Sequence, residues 1–141
     1  GCLMKLIKIA VIAALVVSGS AMAFPFHQSA ENSTLKIYQQ GVNNNTTALQ
    51  SDAKNSTTEI NQLGTANGAD VGQGSDDSKI LLNQNGFANN STIDQWNGHD
   101  SGVTVNQNGV QNGALVNQTA SGSQVYVTQT GYGNHASASQ Y

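Results

Sequence analysis

Three histidines, eight carboxylates and a scatter of serines are the residues in this chain that could do chemistry. His27, His99 and His135 lie far apart in sequence, and none has a second ligand at metal spacing, so they read as residues of an exposed face. Asp70, Asp76 and Asp77 could serve calcium, but the glycine-aspartate nonapeptide of calcium-binding β-rolls is absent. No nucleophile elbow or base partner accompanies the serines. Sequons such as Asn55-Ser56-Thr57 follow from composition, and Trp96, in the linker after the third repeat, suits packing or lateral contact better than ligand stacking. The residues therefore point to no enzyme, no cofactor and no metal centre. Arginine is missing altogether and acidic residues outnumber lysines by 8 to 5, so the chain has no electrostatic footprint for nucleic acid.

What positions these residues has to be sought along the chain. Met4, Lys5 and Lys8 precede the apolar run Ile9–Val17, and the small-residue site Ala21-Met22-Ala23 follows. That order reads as an export signal over residues 1–23, cleaved between Ala23 and Phe24. The run is too short for a transmembrane helix. Cys2 precedes the apolar run, where a lipobox cysteine would follow it. Residues 24–141 then hold no cysteine, which removes both a disulfide framework and a thiol nucleophile. Their charges are 3 lysines against 8 acids, or −5, and Asn (17) with Gln (14) make about a quarter of these 118 residues. Such a composition means either disorder or ladder-forming β structure.

An internal repeat decides for order. Five segments share the pattern Ser, five residues, Gln, one residue, Gly, two residues, Asn, five residues, Gln. They span 33–50, 56–73, 78–95, 101–118 and 123–140. The first is anchored by Ser33, Gln39, Gly41, Asn44 and Gln50, the second by Ser56, Gln62, Gly64, Asn67 and Gln73. Ser78, Gln84, Gly86, Asn89 and Gln95 anchor the third, and Ser101, Gln107, Gly109, Asn112 and Gln118 the fourth. The fifth has Ser123, Gln129, Gly131, Asn134 and Gln140. Within each repeat the standardised residues alternate, as in Ser33, Leu35, Ile37, Gln39 and Ser101, Val103, Val105, Gln107. Period two means strands, and the standardised face should be the interior.

The expected fold is all-β: a five-coil β-solenoid of strand-turn-strand repeats over 33–141. Glycine in the turn supplies a positive φ. Coils should stack about 4.8 Å apart, the spacing of neighbouring strands. Buried Ser, Asn and Gln then stack on their own kind, and each side-chain amide can bond the amide above and below it, which avoids roughly 1–3 kcal/mol for each unsatisfied polar group. Without caps, the ends of such a stack are bare sheet edges that recruit other chains. Polymerisation is the expected outcome. Asp70 and Asp94 in the strands, with Asp76, Asp77 and Asp100 in the linkers, fall on the variable face and would act as gatekeepers against premature aggregation.

The five-fold repeat also resembles the curlins, subunits of bacterial curli fibres. Gly68–Ser78, Asp94-Gln95-Trp96-Asn97-Gly98 and the terminal Gln140-Tyr141 are similar to the family's major subunit. The resemblance implies a structural subunit of an extracellular functional amyloid, a fimbrium-like cell-surface fibre mediating adhesion and biofilm formation. It further implies export via the periplasm, with accessory proteins there, through an outer-membrane secretion pore. Its partners would be copies of itself, a minor nucleator curlin and host or abiotic surfaces. Residues 24–32 would be the secretion-targeting segment, although they are shorter than is usual in the family and lack glycine. Two alternatives stay open beside the major subunit: the minor nucleator, whose last repeat is basic and degenerate where repeat five here is uncharged, and a soluble β-solenoid binding module. A repeat-built polysaccharide enzyme would need clustered carboxylates.

Overall fold

The structure, a computed structural model, describes residues 10–17 and 22–141. It is an all-β solenoid. Five coils correspond one to one with the five repeats. Their first strands are β3 (Ser33–Val42), β5 (Thr57–Thr65), β7 (Lys79–Phe87), β9 (Gly102–Val110) and β11 (Gln124–Tyr132). Their second strands are β4 (Asn45–Lys54), β6 (Gly68–Asp76), β8 (Asn90–His99), β10 (Gly113–Gln118) and β12 (His135–Gln140). Two further strands, β1 (Ala10–Val17) and β2 (Met22–Glu31), form a coil ahead of the first repeat. The strands make two six-stranded parallel sheets, one of first strands and one of second strands.

Every rung within the five repeats is in register, and the shift in the β6–β8 pairing falls between Gly74 and Asp76, beyond the second repeat. Gln39 lies beside Gln62, Gln62 beside Gln84, and so on through Gln107 to Gln129. The second sheet does the same from Gln50 through Gln73, Gln95 and Gln118 to Gln140. Alternation chooses the faces as expected: in β3 the residues Ser33, Leu35, Ile37 and Gln39 are buried, and Lys36 is exposed. The aliphatic core is one column per position. Leu35, Ile60, Ile80, Leu82 and Ile93 are completely enclosed, each contributing roughly 1.5–3 kcal/mol by leaving water. Ala48, Val71, Val105 and Val116 fill the positions between them.

The strands run further than the alternation alone implies. β6 continues through Gly74, Ser75 and Asp76, and β8 through Trp96 to His99, so Trp96 belongs to a strand and not to a linker. Ser75 is buried there; its carbonyl accepts from Ser56 Oγ at 2.6 Å and its Oγ from Gly98 N at 3.2 Å. Trp96 packs outside the sheet, its ring edge 3.0 Å from where a Cβ on Gly72 would stand. Gly72 thus makes room for an indole.

The turns differ from expectation in one respect. The anchor glycines do have positive φ, from 117° at Gly64 and Gly131 to 129° at Gly86. The left-handed helical corner itself lies two residues later, at Asn43, Ala66, Ala88, Gln111 and Gly133, with φ between 56° and 68°. The strand-to-coil corners at Asn55, Asp77, Asp100 and Gly122 repeat it. Four successive turn corners and three strand-to-coil corners are tied to the coil before them by backbone bonds, for example Ala88 N to Thr65 O at 2.9 Å. That bond compensates the cost of about 1 kcal/mol for a non-glycine residue held at positive φ.

The proposed cleavage point between Ala23 and Phe24 falls inside β2, and the expected export segment includes β1. β1 pairs with β3 and β2 with β4, both parallel, and the second pairing carries two register irregularities. A chain beginning at Phe24 would lose β1 and expose the free edge of β3.

Candidate functional site: polar columns that run through the stack

The site of interest is a set of columns, since the repeat places one residue of each kind in every coil. Gln39 Nε2 donates to Gln62 Oε1 at 2.5 Å, Gln62 to Gln84 at 2.8 Å, Gln84 to Gln107 at 2.9 Å and Gln107 to Gln129 at 2.8 Å. In the second sheet Gln50 donates to Gln73 at 2.6 Å, Gln73 to Gln95 at 3.0 Å, Gln95 to Gln118 at 2.6 Å and Gln118 to Gln140 at 2.8 Å. All eight bonds point the same way, from each coil to the next. The inner glutamines are 0–1% exposed, so each amide forgoes water and depends on this pairing. Burial makes the column expensive to interrupt, because an orphaned amide costs about 1–3 kcal/mol. Chains of aligned amides also polarise one another.

The asparagine column runs in the opposite sense. Asn67 Nδ2 donates back to Asn44 Oδ1 at 3.1 Å, Asn89 to Asn67 at 3.2 Å, Asn112 to Asn89 and Asn134 to Asn112 at 3.1 Å. The same Oδ1 atoms take the following asparagine's backbone N–H, as Asn44 Oδ1 does from Asn67 N at 3.0 Å. Forward, the Nδ2 of Asn44, Asn67, Asn89 and Asn112 reaches the carbonyl of the next coil's turn glycine, Gly64, Gly86, Gly109 and Gly131, at 3.0–3.2 Å. Asn67, Asn89 and Asn112 therefore each staple three consecutive turns. The serines act by a related device: Ser33, Ser56, Ser78 and Ser101 accept the backbone N–H of Ser56, Ser78, Ser101 and Ser123 on Oγ. The serines stack on their own kind as the repeat predicts, and the strand geometry makes the bond between them one from a backbone N–H to a hydroxyl oxygen.

The turn glycines belong to the site for a reason beyond φ. A Cβ on Gly41 would lie 1.8 Å from Gly64 O, and one on Gly64, Gly86 or Gly109 would lie 2.0 Å from the next glycine's oxygen. Close approach of turn to turn requires glycine in the first four coils. Gly131, in the fifth coil, meets only Asn134 Nδ2 at 3.5 Å.

One outward column was not anticipated. Asn61 donates to Asn83 at 2.9 Å and Asn83 to Asn106 at 2.8 Å on the solvent face of the first sheet. Its signal in the sequence is faint, an Asn immediately before the anchor Gln in repeats two, three and four, with Tyr38 and Thr128 in the others.

The remaining candidates do not converge. His99 and His135 are exposed; His99 Nδ1 sits 3.2 Å from Asp100 Oδ2 at the corner of one coil. His27 has a side chain outside the described set. Among the described residues no group of three metal-binding side chains comes together. Asp70 faces solvent beside Thr47 and Thr92, and Asp94 is half-buried beside Gly72 and Asn117. They stand on adjacent strands two residues apart, roughly 8 Å from backbone to backbone given a strand spacing of ~4.8 Å and a rise of ~3.3 Å per residue. Asp76 and Asp77 accept from Lys54 N at 2.9 Å and Asn55 Nδ2 at 3.2 Å.

Known proteins carry this repeat. Residues 30–64 and 98–131 match the curlin associated repeat family. The chain's repeats are similar to that family's repeat. Major curlin subunits of Salmonella typhimurium, Salmonella typhi and Salmonella enteritidis are each 56% identical to the chain over a match that takes in 51% of it. The match takes in 56% of each relative's length, so the chain spans little more than half of the curated relatives it resembles. The two curlin-repeat matches fall on the first coil with half of the second, and on the fourth coil with the first strand of the fifth. They include the anchors Ser33, Gln39, Gly41, Asn44, Gln50, Ser101, Gln107, Gly109, Asn112, Gln118, Ser123 and Gln129, the residues of the columns described above.

Proposed function

We propose that the chain is a structural subunit of an extracellular amyloid fibre of the curli type, polymerising end to end and catalysing nothing. The single observation that carries this reading is the one-way glutamine column. A column with a direction has two unlike ends: in the first sheet, an acceptor end at Gln39 and a donor end at Gln129. The end of one chain complements the start of another. Gln39 Oε1 supports the same reading, for it is buried and has no hydrogen-bond partner, with Val16 opposite it in register instead of an amide. A second copy would place Gln129 there. The stack would then continue with unbroken aliphatic, glutamine and asparagine columns.

On this reading residues 1–23 direct export and are removed after Ala23, residues 24–32 address a secretion pore, and a minor nucleating curlin starts the fibre at the cell surface. Adhesion and biofilm formation follow from the resemblance to curli. The test is direct. Purified residues 24–141 should convert after a lag into dye-binding fibres with a meridional spacing of about 4.8 Å, and fibres sheared from cells should begin at Phe24. Monodisperse β-rich monomers persisting for days would favour a soluble binding module instead.

The acidic residues supply a brake on this assembly. Asp70 and Asp94 lie within about a Debye length of each other (~8–10 Å at ordinary salt), so their repulsion is only partly screened. Asp70→Asn with Asp94→Asn should shorten the lag at low salt. Added salt should shorten the wild-type lag more than the mutant's. A lag identical in both proteins at low salt would move the brake to Gly68 and Gly72, which weaken the same strand.

A further inference from the structure

The residue after each turn glycine forms a line along one edge of the solenoid: Val42, Thr65, Phe87, Val110 and Tyr132, in register from coil to coil. Val42, Phe87 and Tyr132 are 43%, 49% and 73% exposed. The line is held stiffly. The carbonyls of Val42, Thr65, Phe87 and Val110 each accept a backbone N–H from the following coil at 2.9 Å, which fixes the rung spacing. No charged residue occurs in any of the five turns, 40–44, 63–67, 85–89, 108–112 and 130–134. The opposite edge carries Lys54, Asp76, Asp77 and Asp100. The two edges of one molecule therefore differ in kind.

We infer that the turn edge is a lateral contact surface for the same edge of a second stack of this chain, joining fibres side by side into bundles. This rests on the fibre reading above. Charge selects the edge: two copies of a net-acidic chain repel when their linker edges meet, and only the turn edge brings an apolar line without a carboxylate. Periodicity selects the partner, since a stiff line with one side chain per rung is matched rung for rung only by another such stack. Size sets when it acts. One chain offers on the order of a few hundred Å² here, well short of the ~1,000 Å² that a specific pair needs. Single subunits stay apart, while stacked subunits extend the line until the contact holds. Bundling thus follows elongation.

Two variants of the mature chain test the assignment, Phe87→Ser with Tyr132→Ser and Phe87→Lys with Tyr132→Lys, each seeded with wild-type fibres. Fibre mass and meridional spacing should match wild type, while the fraction of fibres in bundles, counted by electron microscopy, should fall several-fold. For the lysine pair, bundling should partly return in high salt as the repulsion is screened. Bundles of unchanged width in both variants would overturn the inference. So would failure of either variant to elongate, which would assign the line to axial stacking. Unchanged bundling together with lost adsorption to phosphatidylcholine vesicles would assign the edge to lipid and likewise overturn it. Wild-type fibres that form but never bundle defeat this inference alone, whereas absence of wild-type fibres defeats the fibre reading beneath it.

Discussion

Replacing Gly86 with alanine should abolish ordered assembly, because the new methyl would sit 2.0 Å from the Gly109 carbonyl oxygen. That oxygen belongs to backbone pinned by Asn89 Nδ2 at 3.0 Å and by the next coil's turn, so it has nowhere to move. The backbone at φ 129° adds strain of its own. Strained φ costs about 1–3 kcal/mol and overpacking another 1–3 kcal/mol, so the combined loss should be roughly 2–6 kcal/mol per coil. Gly122→Ala is the comparator. Its φ is 66°, but nothing lies within 4 Å of the added carbon, and the expected loss is only about 1–2 kcal/mol. Fibre yield and diffraction of the two variants side by side read the difference. Equal behaviour would mean that turn-to-turn approach does not govern the stack.

Gln84→Glu should block assembly at neutral pH and permit it in acid. In the wild type, Gln84 Nε2 donates to Gln107 Oε1 at 2.9 Å and to Gly68 O at 2.8 Å, while its Oε1 accepts from Gln62. A carboxylate keeps the acceptor and turns the donor into a second acceptor. Two buried oxygens, Gln107 Oε1 and Gly68 O, would then face a negative charge in a site that is 1% exposed. Desolvation and those dipoles both disfavour the ionised form, so the introduced group's folded pKa rises above its unfolded value. The sign follows: destabilisation is full above the folded pKa and disappears as pH falls below the unfolded pKa of about 4.3. A protonated carboxyl again has a hydrogen to give to Gln107. The expected loss at pH 7 is at least ~3 kcal/mol, the low end for a buried unpaired charge. Lag time and fibre yield from pH 7 to pH 4, normalised to wild type at each pH, would show recovery in acid. A pH-independent defect would imply that shape, rather than the donor, is what position 84 contributes.

Both predictions turn on one feature of the molecule. Its polar interior is linked from coil to coil by bonds between like residues 22 or 23 positions apart, as each glutamine bond between coils illustrates. A residue in such a column has a partner on either side, and the partner is a copy of itself. Damage to one rung is therefore felt by two neighbours, and in a fibre by every subunit. The same logic makes the outward positions tolerant: Lys36, Glu59, Leu81, Thr104 and Tyr126 occupy one register column without a shared chemistry.

Much of this was legible in the amino-acid sequence. The strict spacing of Ser, Gln, Gly, Asn and Gln, with alternation between them, determines five strand-turn-strand coils, their buried face and the columns of like residues. Hydrophobic alternation is a local signal, and a two-residue period can be satisfied only by strands. Other features existed only once the coils had closed on one another. The direction of each amide column depends on which end of Gln84 faces Gln62, a choice between two orientations that the residue type leaves open. The anchor glycines looked like turn residues, yet their tightest constraint is the carbonyl of a residue 22 or 23 positions on. Ser75 and Trp96 read as linker, whereas stacking drew them into β6 and β8, Trp96 in register with Gly74 and Ser75 bonded to Ser56 and Gly98. Residues 10–17 and 22–31 read as leader and targeting segment, and in the folded chain they pair with the first repeat as β1 and β2. Periodicity along the chain fixes which side faces in; only the parallel stacking of coils, where residues distant in sequence meet at hydrogen-bond distance, decides what each side chain touches.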